Sequence, residues 1–440
     1  MRSSPLVAHT LAVVSAFGIG AAHAEGEGRI PTVELEKLLA GTDDLARTVS
    51  ELRGLPIKQP IARGVTSKEQ VTKRLIELLD QDYAPGELES EDRALKRFGL
   101  LPVDRSYRQI MLDVLTEQIA GFYDPHTKQL YIADWIDPSM QRIVLAHEID
   151  HALQDQSFDL LKFIKPNVEN GDEQLARQSL AEGDGVAVMI EIMFREQGTK
   201  FDPWASDMIV NSISSMTGLS AGKQLASAPL FIRETVLFPY SDGLRFIAAS
   251  RRTRPWSAID DVFRKPPLST EHILHPAKYR SYEKPLPVKI VPLPSLATWT
   301  QTFTNVMGEF GFRIFLRQNG VEQARAERAA AGWGGDRTLL FQPADNASLE
   351  ATVGVIYSTW DAEMDAIEAQ EAMADALLVL TGAEKAAEKT KVFARAAGKD
   401  GAVSFVERRG RDVLLVVAAP PAVAATIRTE AWRLWRSSTR

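Results

Sequence analysis

The stretch Val144-Leu145-Ala146-His147-Glu148-Ile149-Asp150-His151-Ala152-Leu153 sets two histidines four residues apart, with a glutamate beside the first. On a helix, residues four apart share one face, one turn above the other. Two imidazoles so placed can grip a single Zn2+, and Glu148 can then act as general base toward a zinc-activated water. The flanks favour a helix. Asp137-Pro138 is a start signal, with Asp as N-cap and Pro at the first helical position. Ile143, Val144, Ala146, Ala152 and Leu153 supply apolar positions for a buried helix. The bland alternative is a solvated helix face carrying two idle histidines.

A catalytic zinc takes three protein ligands and leaves one position open. The next helix expected, over residues 172–197, has an apolar face of Leu175, Leu180, Val186, Ile190 and Met193. Inside it lies Leu180-Ala181-Glu182-Gly183-Asp184-Gly185. Each glycine within a helix costs about 1 kcal/mol relative to alanine. Two of them beside an acid predict that another backbone, or the metal site, comes close. Glu182 is therefore the expected third ligand beside His147 and His151. Asp155, one turn after His151, leans back toward it and is the first choice to hold its other ring nitrogen; Asp184 and Asp150 are rivals. Tyr123, Tyr240, His272 and His275 are candidate donors to a developing oxyanion, with Tyr240 and His275 ahead.

With 440 residues, 45% of them apolar and 25% charged, the chain can bury a large core. A net charge of −7 with no run of Lys and Arg argues against a nucleic-acid partner. The chain has no cysteine, which excludes disulfides, thiolate ligands and a cysteine nucleophile. At the N-terminus, Arg2, an apolar run over 6–20 and Ala22-His23-Ala24 read as a signal peptide spanning 1–24. A periplasmic or secreted protein follows; the alternative is an N-terminal anchor. No later stretch is apolar enough to cross a bilayer, so no stable membrane insertion is expected after signal removal.

A helical N-terminal region is expected over 25–103, broken by an extended stretch at 54–60; a removable pro-segment is one reading of it. The core is placed at 104–290. It opens with a helix from Asp104 to residue 118, then a hairpin of strands 119–123 and 129–133 around the turn 124–128. Pro239-Tyr240-Ser241-Asp242-Gly243 reads as a turn feeding another helix. A C-terminal α+β region, 291–440, carries expected strands at 338–341, 353–358, 403–407 and 412–417. It also carries a helix capped by Asp361 and a terminal helix over 421–435.

The zinc-motif segment through Gln156, followed by Ala181-Glu182-Gly183-Asp184, resembles the gluzincin class of zinc metallopeptidases. That class bears H-E-x-x-H on one helix and a glutamate on a following one. The Glu182-Gly183 pair is similar to the Glu-Gly of its aminopeptidase and collagenase branches. Three further segments look like a poorly characterised family of secreted bacterial metallopeptidase-like proteins: Gly121-Phe122-Tyr123-Asp124-Pro125, Ser269-Thr270-Glu271-His272-Ile273-Leu274-His275-Pro276 and Gly332-Trp333-Gly334-Gly335-Asp336-Arg337. The resemblance implies an α+β fold: a mainly helical zincin-like metallopeptidase core with a small antiparallel edge sheet, plus a C-terminal α+β subdomain. It also implies a Zn2+ cofactor and a peptide or protein substrate. Thermolysin-like members carry Asn before the third-ligand Glu and Asp four residues after it; here those positions are Ala181 and Val186, so the partner of the histidines is left open. The rival to a metallopeptidase is a catalytically silent binding or assembly protein with a structural zinc site.

Overall fold

The computed structural model describes residues 32–135, 138–165, 167, 169–198, 204, 206–216, 222–346, 348–398 and 400–438. The expected signal peptide and the expected cap Asp137 lie outside these residues. The described chain runs α1 (Thr32–Arg53), β1 (Ala62–Thr66), α2 (Lys68–Asp82), α3 (Glu87–Arg97), α4 (Tyr107–Gln118), β2 (Gly121–Asp124), β3 (Gln129–Ala133), α5 (Pro138–Phe158), α6 (Leu160–Phe163), α7 (Gly171–Glu196), α8 (Asp207–Met216), α9 (Lys223–Ser227), α10 (Leu230–Arg251), α11 (Ser257–Arg264), α12 (Thr270–Leu274) and α13 (Pro276–Ser281). A sheet-rich part follows: β4 (Val288–Lys289), β5 (Trp299–Asn305), α14 (Gly308–Gln318), α15 (Gln323–Ala330), β6 (Trp333–Pro343), β7 (Val353–Trp360), α16 (Glu363–Thr381), β8 (Glu388–Lys389), β9 (Phe393–Ala397), β10 (Val403–Arg409), β11 (Asp412–Ala419), α17 (Pro421–Leu434) and β12 (Arg436–Ser437). The fold is α+β, mostly helical before residue 288 and built on a seven-stranded antiparallel sheet after it.

The hairpin β2–β3 forms ahead of α5 as expected, but it is not alone. β1 adds to it in the order β1-β3-β2 and runs parallel to β3, so the small sheet is mixed rather than antiparallel. Ala62-Arg63-Gly64-Val65-Thr66 buries only its last residue, which is why no apolar alternation betrays this strand. The helix expected from Asp104 starts later, at Tyr107, because Ser106 caps it by accepting from the Gln109 N–H at 3.4 Å.

The expected turn at 239–243 is absent. α10 runs unbroken through Pro239, with most of its residues buried. A proline inside a helix costs roughly 3 kcal/mol, which burial of this helix offsets. Gly243 sits where α10 crosses α7: a β-carbon on it would strike the carbonyl of Ser179, and one on Gly183 would strike the backbone of Gly243. Gly185, one turn-half further, faces the His147 ring, which a β-carbon would approach to 2.8 Å. Both close approaches foreseen for the α7 glycines are therefore present, one to a backbone and one to a ligand candidate.

The large sheet has the order β5-β6-β7-β11-β10-β9-β8. Strand alternation divides it between two cores. Val355, Tyr357, Phe405, Leu414 and Val416 pack against Ile427, Ala431 and Trp435 of the terminal segment. Ile356, Val406, Val413 and Leu415 belong to a second cluster that includes Ala369 and Met373 of α16 and extends back to Leu45 of α1. Ala362, not Asp361, stands at the start of α16, where the Asp365 carboxylate accepts from the Ala362 N–H at 2.9 Å.

One buried carboxylate joins the two parts, and a second braces the sheet-rich part. Asp172, in the first turn of α7, accepts from the Thr270 backbone N–H at 3.1 Å and from the Thr270 hydroxyl. The same hydroxyl accepts from Phe310 N–H at 3.2 Å. Asp336 accepts from the backbone of Met307 and Gly308, from the Trp333 indole at 2.9 Å and from Thr338 at 3.2 Å. The segment 269–276 is thus part of a joint and the segment 332–337 a brace between β6 and the start of α14, both held by hydrogen bonds that a buried acid requires.

The helix crossing is testable. Gly183→Ala has no room and should lower stability by about 1–3 kcal/mol. Gly41→Ala, in α1 with open space around it, should raise it by up to about 1 kcal/mol. Urea unfolding of both variants against the wild type measures the two effects.

Candidate metal centre

α5 carries His147 and His151 one turn apart, and α7 crosses behind it to bring in Glu182. The Glu182 Oε2 lies 3.2 Å from His147 Nε2 and 3.4 Å from His151 Nε2, and the two Nε2 atoms are 3.0 Å apart. The rings stand edge to face, 88° apart. All three side chains are buried, and they form a group whose donor atoms could hold one metal ion. Four ligands held tetrahedrally at about 2.0–2.1 Å from a zinc ion stand about 3.3 Å from each other. The three measured separations bracket that value. Two imidazole nitrogens in the set also disfavour magnesium and calcium, which take oxygen.

The electrostatics follow from burial and proximity. Loss of solvent holds His147 below its usual range, and the neighbouring His151 adds to this. Loss of solvent works against the charged form of His151 too, but with no metal bound the Glu182 carboxylate beside it raises His151 to about 10; metal binding at Nε2 would displace that proton. Glu182 moves the opposite way. Burial would raise it, yet the two histidines bring it down to about 2. It is therefore a carboxylate over any ordinary pH, as a metal ligand must be.

Glu148 sits one helical step from His147 and is turned toward the small sheet. Its Oε2 accepts from the Tyr123 backbone N–H at 2.8 Å, on the side of β2 that β3 does not pair. Its Oε1 is buried and has no partner among the described residues. Burial raises this carboxyl well above its usual range, and the Glu182 charge adds to it.

The partner of His151 is Gln154, which the sequence reading missed. Gln154 Oε1 lies 3.0 Å from His151 Nδ1. The Gln154 amide nitrogen donates to Asp150 Oδ2 at 2.7 Å, to the Ala181 carbonyl at 3.1 Å and to Asp184 Oδ2 at 3.1 Å. Three acceptors around the nitrogen fix which end of the amide faces the histidine. Nδ1 must then donate, and the Nε2 lone pair is left for a metal. Asp155, the expected partner, instead accepts from the Tyr123 hydroxyl at 2.7 Å, from Lys128 at 2.6 Å and from the Leu160 N–H at 3.0 Å. Asp150 and Asp184 reach His151 only through Gln154.

Residues 297–428 match the model of a domain of unknown function, DUF8575. No curated protein and no solved structure matches the chain. The matched stretch begins after the last of the residues just described, so it leaves the metal centre outside it.

The four oxyanion candidates part company. Tyr240 is buried beside the site, its ring centroid 6.4 Å from that of His147. The Tyr123 hydroxyl is turned to Asp155. His272 accepts from the Leu268 N–H at its Nδ1 and meets the Glu283 carbonyl at 2.6 Å with its Nε2. His275 pairs with Glu309 of α14 at 2.9 Å. Both of these histidines flank the Thr270–Asp172 contact, and Asp172 lies ten residues, about 15 Å of helix, from Glu182.

A second acidic group, Glu271, Glu283 and Asp361, also has metal-like spacing. Lys278 fills it: its ammonium stands 2.5 Å from Glu271, 2.5 Å from Asp361 and 3.1 Å from Glu283. A lysine supplies the charge there, so Lys278→Met should leave a buried carboxylate uncompensated and cost about 2–4 kcal/mol. Thermal or urea unfolding reads that loss, and the metal content per chain should stay unchanged.

Proposed function

We propose that this chain is a zinc-dependent hydrolase of peptide bonds, with His147, His151 and Glu182 as ligands and Glu148 as general base. The observation that carries the reading is the free Glu148 Oε1 beside a three-donor set of tetrahedral spacing. A zinc ion held there would supply electrophilic activation of water and of the scissile carbonyl. The protein's own residues do the rest. The Tyr123 N–H anchors one oxygen of Glu148, leaving the other to take a proton from water and return it to the leaving amine. Burial of Glu148 raises its basicity for that task. Tyr240, against the His147 ring, is the nearer of the two favoured oxyanion candidates.

The rival reading, a structural zinc in a binding protein, draws on the burial of the triad. Structural zinc sites are closed by four protein ligands, however, and the described residues offer three. None of the described helices is long and apolar enough to cross a membrane; export as a periplasmic or secreted enzyme rests on the leader-like residues 1–24.

Zinc should be found at one per chain in the purified protein by elemental analysis, and His151→Ala should abolish it. Glu148→Gln should keep the zinc and lose about 100-fold or more of the hydrolysis of a fluorogenic peptide library. A zinc-loaded wild type that cleaves no member of the library, or a Glu148→Gln variant of full activity, sinks the enzyme reading.

A further inference from the structure

One buried cation has no part in the chemistry just described. Arg53, the last residue of α1, is wholly shielded from solvent, and a guanidinium in the interior is costly unless each face of it is used. Its Nε donates to both oxygens of Asp184, at 2.9 and 3.0 Å. Its Nη1 donates to Asp260 at 2.8 Å. Its plane stands 5.1 Å from the centre of the Trp256 ring, which also receives Arg251 at 4.2 Å. One of the two Asp184 oxygens that Arg53 holds, Oδ2, also accepts from Gln154, and Gln154 faces His151.

We propose that Arg53, Asp184 and Gln154 are positioning residues for the metal ligand His151, so that the N-terminal helix is a working part of the metal centre. The inference rests on the reading of the triad as a metal site. The physical ground is the near-symmetry of a carboxamide. Its two ends have almost the same shape, and a half-turn of Gln154 would present N–H to His151 Nδ1. Nδ1 would then have to accept, the ring proton would move to Nε2, and the donor atom for the metal would be blocked. What holds the amide the right way round is the set of acceptors about its nitrogen. Of these, the Ala181 carbonyl belongs to a helix backbone and Asp150 lies on the same helix as Gln154. Asp184 is the one fixed from outside, and Arg53 fixes it with a bifurcated hydrogen bond from its Nε–H and its own clamp between Asp260 and Trp256. A segment with this role is not a removable pro-segment; the extended stretch after it is also tied to α5, where Gln156 accepts from the backbone N–H of Lys58 and Gln59 at 2.7 and 3.0 Å.

The test is the zinc dissociation constant, measured by competition with a chromogenic chelator, together with the visible absorption of the cobalt(II)-loaded protein. Gln154→Leu, Asp184→Asn and Arg53→Lys should each weaken zinc about 10- to 100-fold and alter the cobalt spectrum. The double variant Gln154→Leu/Arg53→Lys should bind no more weakly than Gln154→Leu alone, because Arg53 acts through Gln154. Leu414→Ala, in the far sheet and buried, should lower the melting temperature and leave zinc affinity within about twofold, which separates positioning from general loosening. Should Arg53→Lys not fold, the neutral, similarly sized Gln154→Met carries the same expectation as Gln154→Leu. A wild type that binds zinc tightly while the variants only melt earlier overturns the positioning chain alone, as do effects that add in the double variant. A wild type that binds no zinc overturns the metal reading and this inference together.

Discussion

The crossing of α7 over α5 is the constraint on which the site depends. Two imidazoles and a carboxylate have to converge from two different helices to within hydrogen-bonding distance, in an interior that penalises each of them singly. That convergence demands helix axes closer than ordinary side chains permit. Gly185 gives the His147 ring its place, and Gly183 and Gly243 let a third helix, α10, press on α7 from behind. The weak intrinsic helicity of a stretch with two glycines is then the cost of an approach distance. The same closeness explains why His147, Glu148, His151 and Glu182 all have shifted affinities for protons: there is little solvent to share the charge.

Much of this was legible because the chemistry obeys helix periodicity. His147 and His151 are four apart, and the oddity of glycines beside Glu182 pointed to a close contact that exists. The hairpin before α5 and the strands at 353, 403 and 412 were readable from alternation, since each buries one face in one core and one in another. The misses have physical reasons. Gln154 and Asp155 both lie on the side of α5 that faces His151, and spacing alone does not choose between them; the choice was made by Tyr123 and Lys128, which claim Asp155 from a strand and a turn. Pro239 marks a turn by local propensity, but α10 is packed on several sides and tertiary burial prevails. β1 is exposed along most of its length and takes its structure from β3 rather than from its own pattern. β5, with threonines at 300, 302 and 304, likewise lacks the apolar run that flags a buried strand.

The motifs outside α5 divide by role. The segment 269–276 looked like a second histidine cluster with catalytic reach. Thr270 and His272 instead satisfy buried acceptors and carbonyls, and His275 is paired with Glu309. The segment 332–337 carries a carboxylate, Asp336, that caps the start of α14. Hydrogen-bond satisfaction, rather than chemistry on a substrate, accounts for the residue types at these places.

That arrangement has a mechanical corollary. α7 is a single straight-through element of 26 residues. At its start it is bolted to β5, where Asn305 Oδ1 accepts from the Gly171 N–H at 2.8 Å, and to α12 through Asp172 and Thr270; along its length it carries Glu182 and then the acid that Arg53 grips. The place of the Glu182 carboxylate is therefore surveyed from two distant landmarks, the C-terminal sheet and the N-terminal helix, and not from the loop that leads into α7. Length changes in the stretch between α5 and α7 can accumulate without moving the carboxylate.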